Sequence, residues 1–294
     1  MHLRSIELYL PDVAAAAAFL TGDWGAIDAG SDGAARYVRG TASLPYLVAL
    51  KPGDSPSVAS ITFTSDEASI AAIAARAAAA GNVGCTAVGA TEPGGGRGIL
   101  VTFPDGEQFR FLTDCSEVEA SSGRDAPVKL THVVLNARDA EYSAQLAEDV
   151  LGFRVSDRTK GMVFVRCNRS HHSIAFARAG YTSLNHIAFE MDDLDAVMRG
   201  VGRMRDAGLA PAWGPGRHGP GANVFAYFIA PFGAVVEFST AVEQVEADYR
   251  VGSPEDWTWP ANRIDHWGLS DKQDKILAVA ERTFRFFDPT EVVA

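Results

Sequence analysis

The chain has 294 residues, 47% of them hydrophobic and 21% charged, with a formal net charge of −11 at pH 7. That balance describes a globular protein with a substantial core and excludes a disordered one. The acidic excess comes without any Lys/Arg cluster able to track a phosphate backbone, so nucleic acid is not an expected partner.

The first element, "LRSIELYLPDVAAAAAFLTGDW" (Leu3–Trp24), reads as a strand, a turn and an amphipathic helix. Its apolar run, Val13–Leu20, is too short to span a bilayer, and it follows Asp12 with no basic leader. Neither a membrane anchor nor a signal peptide is expected. "SVASITFTSDEASIAAIAARAAAAG" (Ser57–Gly81) is again strand then helix, with acidic caps at Asp66-Glu67 and a stop at Gly81. "VTFPDGEQFRF" (Val101–Phe111) is a turn running into a strand.

The second half repeats this order. "LTHVVLNARDAEYSAQLAEDVLGF" (Leu130–Phe153) matches the first element, and aligning Asp12 with Asp139 gives an offset of 139 − 12 = 127. "SLNHIAFEMDDLDAVMRGVGRMRDAG" matches the second element, Ile61 to Ile187 giving 126, and "FIAPFGAVVEF" matches the third, Pro104 to Pro231 restoring 127. One offset shared within a residue by three elements indicates two homologous halves joined near Ser121–Val128. Residues 1–120 form an N-terminal module, and residues 129–294 a C-terminal module with a tail. Strands of alternating pattern, such as "MVFVRC" and "HSIAFA", fill the intervals. A last helix is expected over Asp271–Thr283.

Polar residues that differ between the copies mark the site. His132 stands where the first half has Ser5, His186 where it has Ser60, and Glu237 where it has Arg110. Glu237 interrupts the apolar run Ala234–Phe238, a costly place for an unpaired carboxylate. Equivalent strands point equivalent positions into equivalent spaces, so these three should converge in the second half alone. Two neutral imidazoles and one carboxylate form the facial triad that leaves open positions on non-haem Fe(II). Three unrelated strand residues would be the alternative; three exchanges at one repeat-equivalent set favour a metal. Cys85, Cys115 and Cys167 have no CxxC spacing and leave one unpaired, which fits a reducing cytoplasm.

"HGPGANVFAYFIAPFGAVVE" (His218–Glu237) resembles the signature of the type I extradiol ring-cleavage dioxygenases, of the vicinal oxygen chelate superfamily. Its His, Tyr, Pro, Gly and ligand Glu fall on His218, Tyr227, Pro231, Gly233 and Glu237. "CNRSHHSIAFA" (Cys167–Ala177) looks like the strand carrying the family's catalytic histidine, and "LNHIAFEM" like its second-ligand strand. The resemblance covers Leu130–Thr240. Ala226 departs from it, standing where the family has a bulkier apolar residue, so a different pocket wall is expected there.

The resemblance implies an α+β fold of two modules, each a pair of βαβββ units closing an incomplete barrel. It implies Fe(II), with Mn(II) as the alternative, and a catechol cleaved with O2 beside one hydroxyl, as in aromatic degradation. His172 would stabilise bound oxygen and then donate a proton, Tyr227 would hydrogen-bond a substrate oxygen, and His218 would orient the substrate. The doublet leaves two choices: His172 shares a face with Ile174 and Phe176, His171 with Ser173 and Ala175. The family order favours His172 as catalytic, with His171 behind it or at the surface. Asn185, next to His186, alternates to the opposite face and reads as structural. The Trp-rich segment "EDWTWPANRIDHWG" reads as packing for the last helix, or as a lid. A homo-oligomer is expected from the family. Two other functions use the same scaffold: an oxygen-independent metal-dependent isomerase or lyase, and a non-catalytic small-molecule binding protein.

Overall fold

Asp12, Asp66, Asp139 and Asp193 each use a side-chain oxygen to accept a hydrogen bond from the backbone N–H three residues on, at 2.7–3.0 Å. Each satisfies an orphan donor of a first helical turn, so four helices begin where the sequence places an aspartate. The caps repeat at one spacing, 139 − 12 = 127 and 193 − 66 = 127.

A computed structural model describes residues 1–261 and 263–287; Asn262 and 288–294 of the C-terminal tail lie outside the described residues. The first half contains β1 (His2–Leu10), α1 (Val13–Thr21), β2 (Ile27–Asp32), β3 (Ala35–Arg39), β4 (Val48–Pro52) and β5 (Ser57–Thr64). It continues with α2 (Glu67–Ala80), β6 (Gly84–Gly89), β7 (Arg97–Thr102) and β8 (Gln108–Thr113). The second half contains β9 (Leu130–Ala137), α3 (Ala140–Leu146) with a π-helical extension Ala147–Leu151, β10 (Arg154–Arg158), β11 (Met162–Arg166), β12 (Ile174–Arg178) and β13 (Ser183–Glu190). After it come α4 (Leu194–Asp206), β14 (Trp213–Arg217), β15 (Val224–Ile229) and β16 (Val235–Thr240).

The sheet orders are β2-β3-β4-β1-β5-β8-β7-β6 and β10-β11-β12-β9-β13-β16-β15-β14, the same sequence with every strand advanced by eight. Each βαβββ unit returns its last strand parallel to its first, as in β9 with β12 and β13 with β16, and the two units meet antiparallel at β9–β13. The sheet is open at β10 and β14, an incomplete barrel. The fold is α+β with two homologous modules.

Period-two alternation divides each strand between two environments. On β9, Val133 and Leu135 join Ala140 and Ala144 of α3 in the main apolar core, while His132 and Asn136 turn to the other face. The modules are stapled by aromatics, with Phe63 against Phe153 and Trp24 against Phe189 and Phe238. The tail carries α5 (Asp274–Ala280), shorter at both ends than the sequence suggests, and β17 (Arg285–Phe286). β17 crosses back to pair with β5 of the first sheet.

Candidate metal centre

Three adjacent strands, β9, β13 and β16, bring His132, His186 and Glu237 together. The register accounts for it: His132 lies opposite Ala188, and Ala188 lies opposite Glu237. His186 is two residues from Ala188 on the same strand, so the three functional side chains and one methyl share a face. The small Ala188 leaves the space over which they converge.

Nε2 of His132 is 3.2 Å from Oε2 of Glu237, Nε2 of His186 is 3.1 Å from the same oxygen, and the two nitrogens are 3.4 Å apart. Donors at about 2.1 Å from one ion would be separated by about 3.0 Å when cis and about 4.2 Å when trans. All three edges are near the cis value, so the three donors could bind one ion together. The residues present fit a divalent cation.

Hydrogen bonds behind the donors favour the same state. Nδ1 of His186 bonds to Oδ1 of Asn185 at 2.7 Å, and Asn185 donates through Nδ2 to Asn136 at 2.9 Å, which fixes its amide oxygen toward the histidine. Nδ1 of His132 bonds to Oγ1 of Thr131 at 2.9 Å, whose hydroxyl donates to the carbonyl of Ala188. With a cation bound, both imidazoles would keep the proton on Nδ1 and turn the Nε2 lone pair to the ion; without one, an Nε2 proton can bridge to Oε2 of Glu237. Asn223 donates to the other carboxylate oxygen of Glu237 at 3.2 Å. Burial opposes ionisation of Glu237, but His132 and His186 outweigh it and hold the carboxyl well below its usual range. Burial also lowers His186, against the pull of Glu237. Ionised carboxylate and neutral imidazole are the ligating states.

The remaining predicted residues flank this triad. The His172 ring centroid is 4.2 Å from that of His132, and the Tyr227 ring is 4.9 Å from that of His186. Tyr227 lies directly opposite Glu237 across β15–β16, and its hydroxyl is 3.0 Å from Nε2 of His218. Burial pushes His172 well below its ordinary value and His218 down to about 3. Burial, aided by the Glu237 charge, raises Tyr227 well above the usual phenol range, so it remains a hydrogen-bond donor. His171 is fully buried, with Nδ1 3.0 Å from Nδ1 of His172 and Nε2 2.6 Å from Asp157. It is not a surface residue. Gly221 packs on this pair with φ +74°, and a Cβ there would stand 3.0 Å from Nδ1 of His171.

Two expectations change. Ala226 alternates away from Tyr227 into the main core, so its small size does not shape the pocket. Asn185 is a direct hydrogen-bond partner of His186, because a bulge between Leu184 and His186 breaks the simple alternation. Sequence reasoning missed Thr131, Asn223 and Asp157. The only available signal was for Thr131, which precedes His132 as Asn185 precedes His186.

An apolar cluster of Val134, Phe164 and Ala175, with Met162 and Ala177 packed against it, adjoins His172, whose ring centroid is 5.2 Å from that of Phe164. The Trp-rich segment lies on the His218 loop. A Cβ on Gly219 would be 3.4 Å from Trp257 and Trp259 and 3.6 Å from His266. Asp265 holds this segment's turn by accepting from the N–H groups of Trp267 and Gly268. Arg217 is tied to the carbonyl of Ala222 and covers the Trp267 ring. In the first module the equivalent row is Ser5, Thr62 and Arg110. There the Arg110 guanidinium bonds Glu7 and Glu92, Tyr46 and Ser60 donate to Glu7, and Lys51 pairs with Glu92. Among the described residues, the second module holds the only compact His/Cys/Asp/Glu group suited to a metal.

Residues 129–238, the span that holds all three donors, match the Glyoxalase/Bleomycin resistance protein/Dioxygenase superfamily model. The crystal structure of a Mn(II)-bound glyoxalase from Novosphingobium aromaticivorans is 32% identical, with a TM-score of 0.85, over 94% of this chain and 93% of that one. The chain belongs to this superfamily. Among curated superfamily members, biphenyl-2,3-diol 1,2-dioxygenase of Metapseudomonas furukawaii is 28% identical over 94% of this chain and 97% of its own length. Metapyrocatechase 2 of Cupriavidus necator is 29% identical over 58% of this chain, and the match spans 46% of that protein. Homoprotocatechuate 2,3-dioxygenase from B. fuscum shares the superfamily fold at 19% identity and a TM-score of 0.81. No helix of the described residues is long and apolar enough to cross a membrane.

Proposed function

We propose that this protein cleaves a catechol by extradiol oxygenation with Fe(II) and O2, in aromatic degradation. The observation that carries the proposal is the buried His132–His186–Glu237 face with His172 on one flank and the Tyr227–His218 pair on the other. His132, His186 and Glu237 would hold Fe(II), which would supply chelation of two vicinal oxygens and electron transfer toward O2. Mn(II) has overlapping ligand preferences and is the alternative ion.

The chain's own residues do the rest. Tyr227 offers its hydroxyl hydrogen to a substrate oxygen, and His218 sets the hydroxyl's direction. Neutral His172 accepts or returns a proton next to the chelated ring. Phe164, Met162 and Val134 exclude water and take the apolar edge of the substrate, which favours an uncharged ring substituent over a carboxylate. The second module, 129–294, carries the chemistry, and the first, 1–120, supplies packing. A homo-oligomer in the cytoplasm belongs to the same proposal, supported for location by three free cysteines.

One finding favours a second reading. The 32%-identical neighbour is named a glyoxalase and holds Mn(II), which suits an oxygen-independent isomerase or lyase. The measurement that separates them is oxygen uptake after anaerobic Fe(II) loading, with catechols from catechol itself to 2,3-dihydroxybiphenyl. Uptake of one O2 per catechol with a yellow ring-fission product establishes the dioxygenase. Bound iron with no uptake from any catechol rejects it in favour of the oxygen-independent reaction or simple binding.

A further inference from the structure

Asp157 lies on β10, where a bulge between Val155 and Asp157 turns its carboxylate inward and buries it completely. Three donors converge on it. Oδ1 accepts from the backbone N–H of Gly252 at 2.6 Å, and Oδ2 accepts from the Tyr249 hydroxyl at 3.1 Å and from Nε2 of His171 at 2.6 Å. A carboxylate in this setting only accepts, so His171 carries its proton on Nε2. In a neutral ring the other nitrogen is then an acceptor, and it sits 3.0 Å from Nδ1 of His172. That contact is a hydrogen bond only if His172 donates through Nδ1. Nε2 of His172 has no protein partner among the described residues, and its ring lies beside His132.

We propose that Asp157, acting through His171, is a positioning residue that fixes His172 as the Nδ1–H tautomer, leaving Nε2 unprotonated on the ring beside His132. His172 thus meets its substrate as a proton acceptor. The tautomer is independent of the dioxygenase reading; its effect on turnover rests on it.

Replacing Asp157 by Asn inverts the chain in a defined way. The Gly252 N–H keeps the amide oxygen on its own side, so the new NH2 group faces Nε2 of His171. His171 must then accept at Nε2 and donate from Nδ1, and His172 must accept at Nδ1 and carry its proton on Nε2. The side chain is isosteric, yet the base becomes a donor.

The test is a long-range proton–nitrogen correlation spectrum of 15N-histidine protein loaded with Zn(II), assigned with a His172→Gln variant. The wild type is expected to show His172 protonated on Nδ1, and Asp157→Asn to show it protonated on Nε2. With Fe(II) and a turned-over catechol, Asp157→Asn should lose about 100-fold or more in kcat, with KM and iron content within about twofold. Tyr249→Phe, which leaves the chain of rings intact, should keep kcat within about threefold. A wild-type His172 protonated on Nε2 overturns the proposal whether or not the variant folds. So does a variant whose tautomer is unchanged, even if it is slow. Absence of catechol turnover rejects the function proposed above and leaves the tautomer result to decide this one.

Discussion

Trp24 of the first module stacks flat on Phe238 of the second, with ring centroids 3.7 Å apart and planes 7° from parallel. Phe238 follows Glu237 and faces the opposite side of β16, so the strand that presents the carboxylate is braced from behind by the other module. Arg203 of α4 holds the Trp24 loop by donating to the carbonyls of Asp23 and Trp24. Trp24→Ala removes a fully buried indole and should cost about 3–5 kcal/mol in urea unfolding. A loss below about 1 kcal/mol would mean that the modules are stable apart.

The donor set gives a paired prediction. His186→Ala should abolish stoichiometric iron binding, whereas His172→Phe should retain iron and slow turnover, both read by metal analysis beside oxygen uptake. Iron retained at one equivalent by His186→Ala would remove His186 from the ligands.

Ala188 separates His132 from Glu237 in the cross-strand row. Ala188→Val inserts two methyl groups into that gap and should leave the sheet folded while weakening metal affinity about tenfold or more, a cost of about 1–3 kcal/mol. Metal titration with circular dichroism as the folding control tests it. Unchanged affinity would show that the donors converge without needing this space.

Acid should destabilise the metal-free protein. His172, His186 and His218 all have folded values lowered from 6.5, chiefly by burial. The unfolded chain therefore binds more protons once the pH falls below about 6.5, and stability declines by up to about 1.4 kcal/mol per group per pH unit. The lowered Glu237 carboxyl acts in the same direction below about 4.5, its ordinary value. Chemical unfolding of apo-protein from pH 8 to 5 should show a plateau and then a fall. Stability that rises on acidification would contradict the neutral histidines.

Repeat arithmetic made the modules legible because strand and helix faces are set by period and by caps, both local in sequence. The same arithmetic exposed His132, His186 and Glu237 as exchanges against Ser5, Ser60 and Arg110. The supporting shell was not legible, for a geometric reason. Asp157 sits in "VSDRTK", which reads as a polar edge strand, and only the bulge beside it turns the carboxylate inward. Asn185 was misplaced by the same effect, since alternation fails at the Leu184–His186 bulge. Asn223 lies in a loop-to-strand junction whose direction depends on its partner, Glu237.

The first module fills its own polar centre with Arg110, which stands opposite Thr62 as Glu237 stands opposite Ala188. Its positive charge is covalently part of the chain and is held by Glu7 and Glu92. A chelator would empty the second module of an ion held by His132, His186 and Glu237 and would have nothing to extract from the first. Loss of such an ion would leave the first module built as before, with Trp24 still pressed against the back of β16.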